Sequence, residues 1–266
     1  MLCIRCRQFG AASGGSLCAN CATASAAAPG GLPVAPPLGD TQLPSPHGPA
    51  WLRSPVGLGK AAAALLGLVI ATDLFAIWAD VTMYDVTGRI ADGDISAAVR
   101  RQADHADSLY SVAGIAQTGA LIATIVVYLI WFQRVRVNGE VFSPSGHSMK
   151  RGWTCWSWFV PIVNFWFPRR VMVDIWDASS PGERSRSHGL VNAWWTLWVV
   201  ALLAGRAGSN QYRKADTAQE LHDASAQILF ADVIDIAAAV LAILVVLRLT
   251  GMQNEKAQQG PVPVAV

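Results

Sequence analysis

The sequence predicts an all-α membrane protein built on a four-helix transmembrane bundle. Four long apolar runs, a hydrophobic content of 53% and a charged content of only 14% predict it. A globular chain carries about 25% charged residues. The alternative is a soluble bundle of four buried helices. Helices of that kind keep a charged face, and these apolar runs do not.

The four runs have lengths that suit membrane spans. A helix rises ~1.5 Å per residue, so about 20 residues match the ~30 Å hydrocarbon core. In lipid every backbone amide needs a partner within the protein, and a helix supplies it. We expect Asp92 and Asp94 to cap a helix that begins near Ile95 and continues into the second span. The predicted membrane domain covers 51–250, with spans at 61–79, 112–132, 190–206 and 228–250.

The charges of the connecting segments predict the orientation. Segment 80–111 has three Lys/Arg and six Asp, whereas segment 133–189 has eight Lys/Arg and four Asp/Glu. Positive segments favour the cytosolic side. We therefore expect a multi-pass protein with residues 133–189 and both termini in the cytosol. Two basic residues in the third connection, Arg213 and Lys214, weaken this bias.

The N-terminal segment 1–21 contains four of the five cysteines. Two Cys-x2-Cys turns can present four thiolates to one ion in a tetrahedral site, which favours structural Zn²⁺. The sequence therefore predicts a zinc knuckle, with two disulfides or an iron–sulfur centre as alternatives. Segment 22–50, rich in Pro, Ala and Gly, is predicted to be a disordered linker, and 251–266 a disordered tail. The four predicted ligands are Cys3, Cys6, Cys18 and Cys21.

An aromatic segment lies between the second and third spans. Its apolar part, 153–167, is too short to span a membrane comfortably, and Pro161 interrupts any helix there. Basic pairs flank it, and Trp prefers the headgroup layer. We expect an interfacial or re-entrant element that continues into an amphipathic helix from Val171 to Trp176. It either anchors the chain or docks a lipid or ligand, and its candidate residues are Trp153, Trp156, Trp158, Pro161, Asn164, Trp166, Arg169 and Arg170.

Four stretches resemble one bacterial membrane family, the domain of unknown function DUF4328. They are Leu52-Arg53-Ser54-Pro55, Arg134-Val135-Arg136-Val137-Asn138, the segment Arg151 to Trp176, and Val191-Asn192-Ala193-Trp194-Trp195. The resemblance covers about residues 51–250. It implies a helical domain in a bacterial plasma membrane and no established activity. The cysteine-rich segment lies outside it.

Polar residues inside the predicted spans are candidates for function, because ionisable groups are costly in lipid. We expect one polar layer contributed by all four helices: Asp73, Gln117, Arg206, Asp232 and Asp235. In a structural role, Arg206 would pair with a carboxylate and the layer would hold the bundle together. In a transport role, the acids would line a water-filled path and carry protons or a cation.

Three classes of function therefore remain open from the sequence. We expect a non-enzymatic scaffold or regulatory module, with the lipid bilayer and a cytosolic protein contacted by the knuckle as partners. The alternative is a small transporter or proton-handling protein, which would favour a homo-oligomer. A membrane enzyme is least supported, because His147 beside Lys150 and Arg151 is the sole hint of phosphate chemistry, and a loop His is usually solvated. No basic tract suggests nucleic acid.

Overall fold

The computed structural model describes residues 52–181 and 187–258. All regular elements in these ranges are helical, and neither range contains a strand. The predicted cysteine knuckle and linker, together with 259–266, lie outside the described residues. The elements are α1 (Val56–Ala91), α2 (Ala97–Phe142), α3 (Trp153–Trp156), a 3-10 turn (Val163–Phe165), α4 (Phe167–Ser179), α5 (Gly189–Lys214) and α6 (Ala218–Gln258).

Four of these helices, α1, α2, α5 and α6, are long and apolar enough to cross a membrane. The prediction of an all-α chain with four candidate spans is therefore confirmed for the described residues. Each predicted span lies inside a longer helix. The tail predicted to be disordered from residue 251 is instead helical as far as Gln258. The reason is that Gln253 turns inward and is 1% exposed.

The long helices pack in the order α2, α1, α6, α5. Helix α1 packs along both α2 and α6, and α6 packs along α5, whereas α2 and α6 make few contacts. At one end of the helices, α3 and α4 lie against α2, and α4 also contacts α5 and α6. We call this the aromatic end. The connections 92–96 and 215–217 lie at the opposite end.

The N-terminus of α2 differs from the prediction. The helix begins at Ala97, and its N-cap is Ser96, whose hydroxyl accepts a hydrogen bond from the Val99 amide at 3.4 Å. Asp94 instead accepts from the Ser96 amide at 3.1 Å and pairs with Arg89 at 3.0 Å. Its carboxylate thus orders the turn that precedes the helix. The predicted continuous helix into the second span is present, but Asp92 and Asp94 do not cap it.

Close approach of α1, α2 and α6 forms the packed centre near the aromatic end. Trp131 is fully buried, and its indole Nε1 donates to the Thr250 hydroxyl at 3.0 Å. A Cβ on Gly59 would lie 2.5 Å from that same hydroxyl oxygen. Small residues let helix backbones approach closely in membranes. Glycine at position 59 therefore makes room for the buried Trp131–Thr250 hydrogen bond.

The aromatic segment forms a compact turn between α3 and α4. The Val163 amide donates to the Pro161 carbonyl at 2.7 Å, which closes a γ-turn centred on Ile162. Ile162 has φ 67° and ψ −52°, a conformation that is strained for a β-branched residue. Helix α4 then begins with Pro168 in its first turn, where a missing N–H is tolerated. It covers the segment predicted to be an amphipathic helix.

Candidate functional site

Gln117 joins carboxyl groups from two neighbouring helices. Its side-chain Nε2 donates to Asp73 Oδ1 on α1 at 3.1 Å and to Asp232 Oδ2 on α6 at 3.3 Å. Asp73 is 3% exposed. The structure therefore brings together three members of the predicted polar layer, from α1, α2 and α6.

Two further carboxyl contacts extend this arrangement. The Asp73 carboxyl faces that of Asp235, and the Asp232 carboxyl faces that of Asp80, which is 1% exposed. Asp73 Oδ2 and Asp80 Oδ2 are buried without a hydrogen-bond partner among the described residues. Facing carboxyl groups can hydrogen-bond to each other only when one of them carries a proton, since an ionised carboxylate only accepts. We call this series Asp80–Asp232–Gln117–Asp73–Asp235 the carboxyl chain.

The carboxyl chain runs along the candidate membrane-spanning helices. Asp73 and Asp80 are seven residues apart on α1, which corresponds to about 10 Å of helix rise. That distance is roughly a third of a ~30 Å hydrocarbon core. Beyond Asp80 lie the rings of Tyr110 and Tyr212, stacked with centroids 5.0 Å apart. One end of the carboxyl chain thus points towards the end of the helices opposite the aromatic end.

The other end of the carboxyl chain reaches a cavity of ≈ 330 Å³ between α2 and α5. Asp235 and Arg206 both line it. Arg206 is exposed, and within the described residues no carboxylate lies within 4.0 Å of its guanidinium group. The ion pair that a purely structural polar layer requires is therefore not formed in this part of the chain. Arg206 faces the cavity instead of joining the carboxyl chain.

The rest of the cavity wall is mainly apolar, and it ends at the aromatic segment. Three lining residues near that end are Tyr128, Trp158 and Asn164. Each carries a buried polar atom, the hydroxyl, the indole Nε1 and the amide Oδ1, without a hydrogen-bond partner among the described residues. Buried polar atoms of this kind are commonly met by ordered water or a ligand.

The other residues of the predicted aromatic segment divide into a packed and an exposed set. Trp158 packs edge-on against Trp198, with ring centroids 5.5 Å apart, and Trp153 packs edge-on against Phe167 at 5.1 Å. Arg169 donates twice to Asn192 Oδ1, from Nη2 at 2.6 Å and from Nε at 3.0 Å. The exposed set comprises Trp156, Phe159, Pro161, Ile162, Trp166 and Arg170.

A second polar cluster lies at the aromatic end, at the C-terminal part of α2. Glu140 is 1% exposed and pairs with Arg136 at 2.6 Å, and its other oxygen accepts from Arg151 Nε at 2.6 Å. A buried carboxylate is tolerated when charged partners and hydrogen bonds surround it. His147 lies over Gly139 and is 8% exposed, so the expectation of a solvated loop histidine is wrong. Burial, and then the nearby Arg136, lowers the pKa of His147.

Neither polar cluster has the geometry of a metal centre. Within 52–181 and 187–258, no three His, Cys, Asp or Glu side chains are arranged to hold an ion. The four predicted zinc ligands lie outside these ranges, and zinc binding there remains a prediction. Cys155 is half-buried, and burial raises the pKa of its thiol.

The sequence interpretation missed Asp80, Glu140 and Gln253. Asp80 follows Asp73 by seven residues, a spacing that places both on one helix face. Glu140 follows Arg136 by four, which is the spacing of a helical ion pair. Both spacings can be recognised in the sequence. No residue spacing near Gln253 predicts that the helix continues as far as this residue.

The fold and these clusters define a class: a helical membrane protein with four candidate spans, a carboxyl chain and a cavity between two helices. Within this class, the family model described as domain of unknown function (DUF4328) matches residues 96–251. The match covers more than half of the chain, so the chain belongs to this family. Helix α1 lies before the matched region. No curated protein and no solved structure matches the chain.

Proposed function

We propose that this protein takes up and transfers protons through the carboxyl chain in the membrane. The observation that carries the proposal is a line of polar side chains in which Gln117 hydrogen-bonds Asp73 and Asp232, with Asp235 and Asp80 facing those two acids. Ionisable residues within a membrane are costly, and chains of acids serve as proton relays in pumps and transporters. Facing carboxyl groups can pass a proton directly when one of them is protonated. Gln117 Nε2 donates to both of its neighbours, so it positions Asp73 and Asp232 without carrying the proton, and the transfer between these two acids would need a bridging water.

The two ends of the carboxyl chain support a path rather than a closed cluster. Asp235 lines the cavity between α2 and α5. At the other end Asp80 lies near the stacked Tyr110 and Tyr212. Water at the polar atoms of Tyr128 and Asn164 would extend the path through the cavity towards the aromatic end.

Protons fit the carboxyl chain better than metal cations do. Hard divalent cations take six or more oxygen ligands converging on one point. The four acids follow one another along the helices instead. In the described residues, none of them belongs to a group of three side chains that could hold a metal ion. Carboxyl groups arranged in series favour a relay of protons over a cation site.

The test is proton flux in vesicles that contain the purified protein and a trapped pH-sensitive dye. An imposed potassium gradient with valinomycin drives the protons. We expect flux in the wild type and its loss in Asp73→Asn and Asp235→Asn. Gln117→Leu should also abolish it, because the variant keeps every acid but breaks the link between α1 and α6.

The matched control is Asp104→Asn, which removes an exposed carboxylate of α2 outside the carboxyl chain. This variant should keep wild-type flux. All variants are compared for monodisperse elution and thermal unfolding in detergent, so that lost flux is separated from misfolding. The proposal would be contradicted if vesicles with the wild-type protein were no more permeable to protons than empty vesicles.

A second candidate function is a scaffold that recruits a cytosolic protein. The spacing Cys3-x2-Cys6 and Cys18-x2-Cys21 favours it, since closed four-thiolate zinc sites are structural rather than catalytic. Zinc would supply the folding energy of so short a segment. We expect about one zinc per chain by metal analysis, lost in Cys18→Ser. A partner captured equally well by the wild type and Cys18→Ser would exclude recruitment by the knuckle.

A further inference from the structure

We call the cavity between α2 and α5 the slot, because its lining residues extend along α5. Its walls are apolar side chains such as Leu121 and Ile125 of α2 and Leu202 of α5. Along α5 it extends from Trp194 to Arg206, twelve residues, which corresponds to about 18 Å of helix rise. One leaflet of a ~30 Å hydrocarbon core has a similar depth. The volume of ≈ 330 Å³ falls in the range of small-molecule sites.

The charged side chains that line the slot, Arg206 and Asp235, lie at the end away from the aromatic segment. Arg206 lines it with no carboxylate partner within 4.0 Å in the described residues, while the Asp235 carboxyl faces that of Asp73. A guanidinium group without a carboxylate partner favours an anionic ligand, and its planar fork matches a carboxylate with two parallel hydrogen bonds. Charge complementarity therefore favours a ligand with an anion at the Arg206 end and an apolar body along the rest.

We propose that the cavity binds a single-chain amphiphilic carboxylate, with its head on Arg206 and its chain along α5 towards Trp198 and Trp194. The head would then lie beside Asp235, the last acid of the carboxyl chain. A proton passed from the Asp235 carboxyl to the bound carboxylate gives a neutral acid and an Asp235 carboxylate, with no change of oxidation state. This coupling rests on the proposed function, whereas binding at Arg206 does not.

Binding can be read from the tryptophans that line the cavity. Trp158, Trp194 and Trp198 lie on its wall, so bromine on a bound chain should quench their fluorescence. The probe is a chain-brominated dodecanoate titrated into the full-length protein in a non-ionic detergent. We expect saturable quenching, at least about tenfold weaker in Arg206→Gln, because a charge-assisted bidentate contact is lost. The affinity of Arg206→Lys should lie between those of the wild type and Arg206→Gln, since Lys keeps the charge but lacks the planar guanidinium group.

Two controls separate the site from general partition into the micelle. A brominated alcohol of the same chain length lacks the anion and should quench equally in the wild type and Arg206→Gln. Arg213→Gln removes an exposed arginine from the same helix outside the cavity and should bind like the wild type. Equal saturable quenching by the carboxylate in the wild type and Arg206→Gln would overturn the proposal. So would quenching by brominated phosphatidylglycerol alone, which would assign the slot to a phospholipid.

Flux and binding together distinguish the two proposals. Carboxylate binding that depends on Arg206, in a protein without proton flux, would uphold the site and remove the proposed relay. Proton flux that Asp73→Asn abolishes, without any carboxylate binding, would uphold the relay and remove this site. If both hold, dodecanoate should change the flux in the wild type but not in Arg206→Gln.

Discussion

The side-chain Nδ2 of Asn138 donates to Gln253 Oε1 at 3.0 Å in a fully buried contact between α2 and α6. Asn138 also pairs with the Arg53 backbone in both directions, and Gln253 Nε2 donates to the Val135 carbonyl at 2.8 Å and to the Ser179 hydroxyl at 3.0 Å. Two amides thus join α2, α4, α6 and the segment that precedes α1. Fully satisfied buried networks fix a unique packing.

Replacing either amide should destabilise the aromatic end. We expect Asn138→Leu and Gln253→Leu to lower the free energy of unfolding by about 1–3 kcal/mol each, because buried partners lose their hydrogen bonds. The double variant should lose less than the sum, since the two amides share one contact. Thermal unfolding in detergent measures the effect, with exposed Gln211→Leu as the control. Losses that add fully would show that the two side chains act independently.

A second prediction concerns the strained γ-turn at Ile162. Ile162→Gly should raise the unfolding free energy by up to about 1 kcal/mol, because glycine adopts φ 67° without steric strain. Val160→Gly, two residues earlier at a position without positive φ, should lower it instead. Both are measured by thermal unfolding in the same detergent. Equal destabilisation by the two variants would mean that the turn carries no strain.

The sequence predicted the helices well because hydrophobic run length depends on local composition alone. It also predicted that Asp73, Gln117, Asp232 and Asp235 would lie at one level, since depth follows from residue count along a helix. It could not predict which helices are neighbours, so the pairing of Arg206 with an acid was left open. The order α2, α1, α6, α5 leaves α2 and α5 apart, and the cavity that Arg206 lines follows from that separation.

Helix ends were harder to predict for a different reason. Polar residues that follow an apolar run predict a loop. Gln253 nevertheless lies in a helix, because it donates hydrogen bonds to residues of α2 and α4 that are distant in sequence. In the motif Arg134 to Asn138, Asn138 likewise donates to residues distant in sequence, the Arg53 carbonyl and Gln253 Oε1. Tertiary partners decide such positions, and composition does not reveal them.

A third prediction follows from the burial of His147. Its pKa lies below the ordinary 6.5, so the unfolded chain takes up this proton at a higher pH than the folded protein does. The contribution of His147 to the free energy of unfolding is therefore constant above about pH 6.5. It falls as the pH drops below 6.5 towards the lowered pKa. The charged groups facing it are Arg136 and Glu140 of α2 and Asp174 of α4.

The measurement is the unfolding temperature between pH 7.5 and 5. We expect His147→Gln to flatten the decline at acidic pH relative to the wild type. His105→Gln, at an exposed position on α2, should leave the decline unchanged. A wild type that is more stable at pH 5.5 than at pH 7.5, with His147→Gln showing no such gain, would reverse the predicted sign.

The last prediction is the orientation of the chain, which the excess of basic residues in 133–189 assigns to the cytosol. Single cysteines are placed at exposed Ser145, Ser187 or Asp92 in a background where the five native cysteines are Ser. A membrane-impermeant maleimide added to intact cells should label position 92 and spare 145 and 187, which become reactive after permeabilisation. Labelling of 145 and 187 from opposite sides would mean that the aromatic segment and α4 together cross the membrane. Labelling of both from outside would invert the orientation, and the carboxyl chain would then open its cavity end towards the exterior.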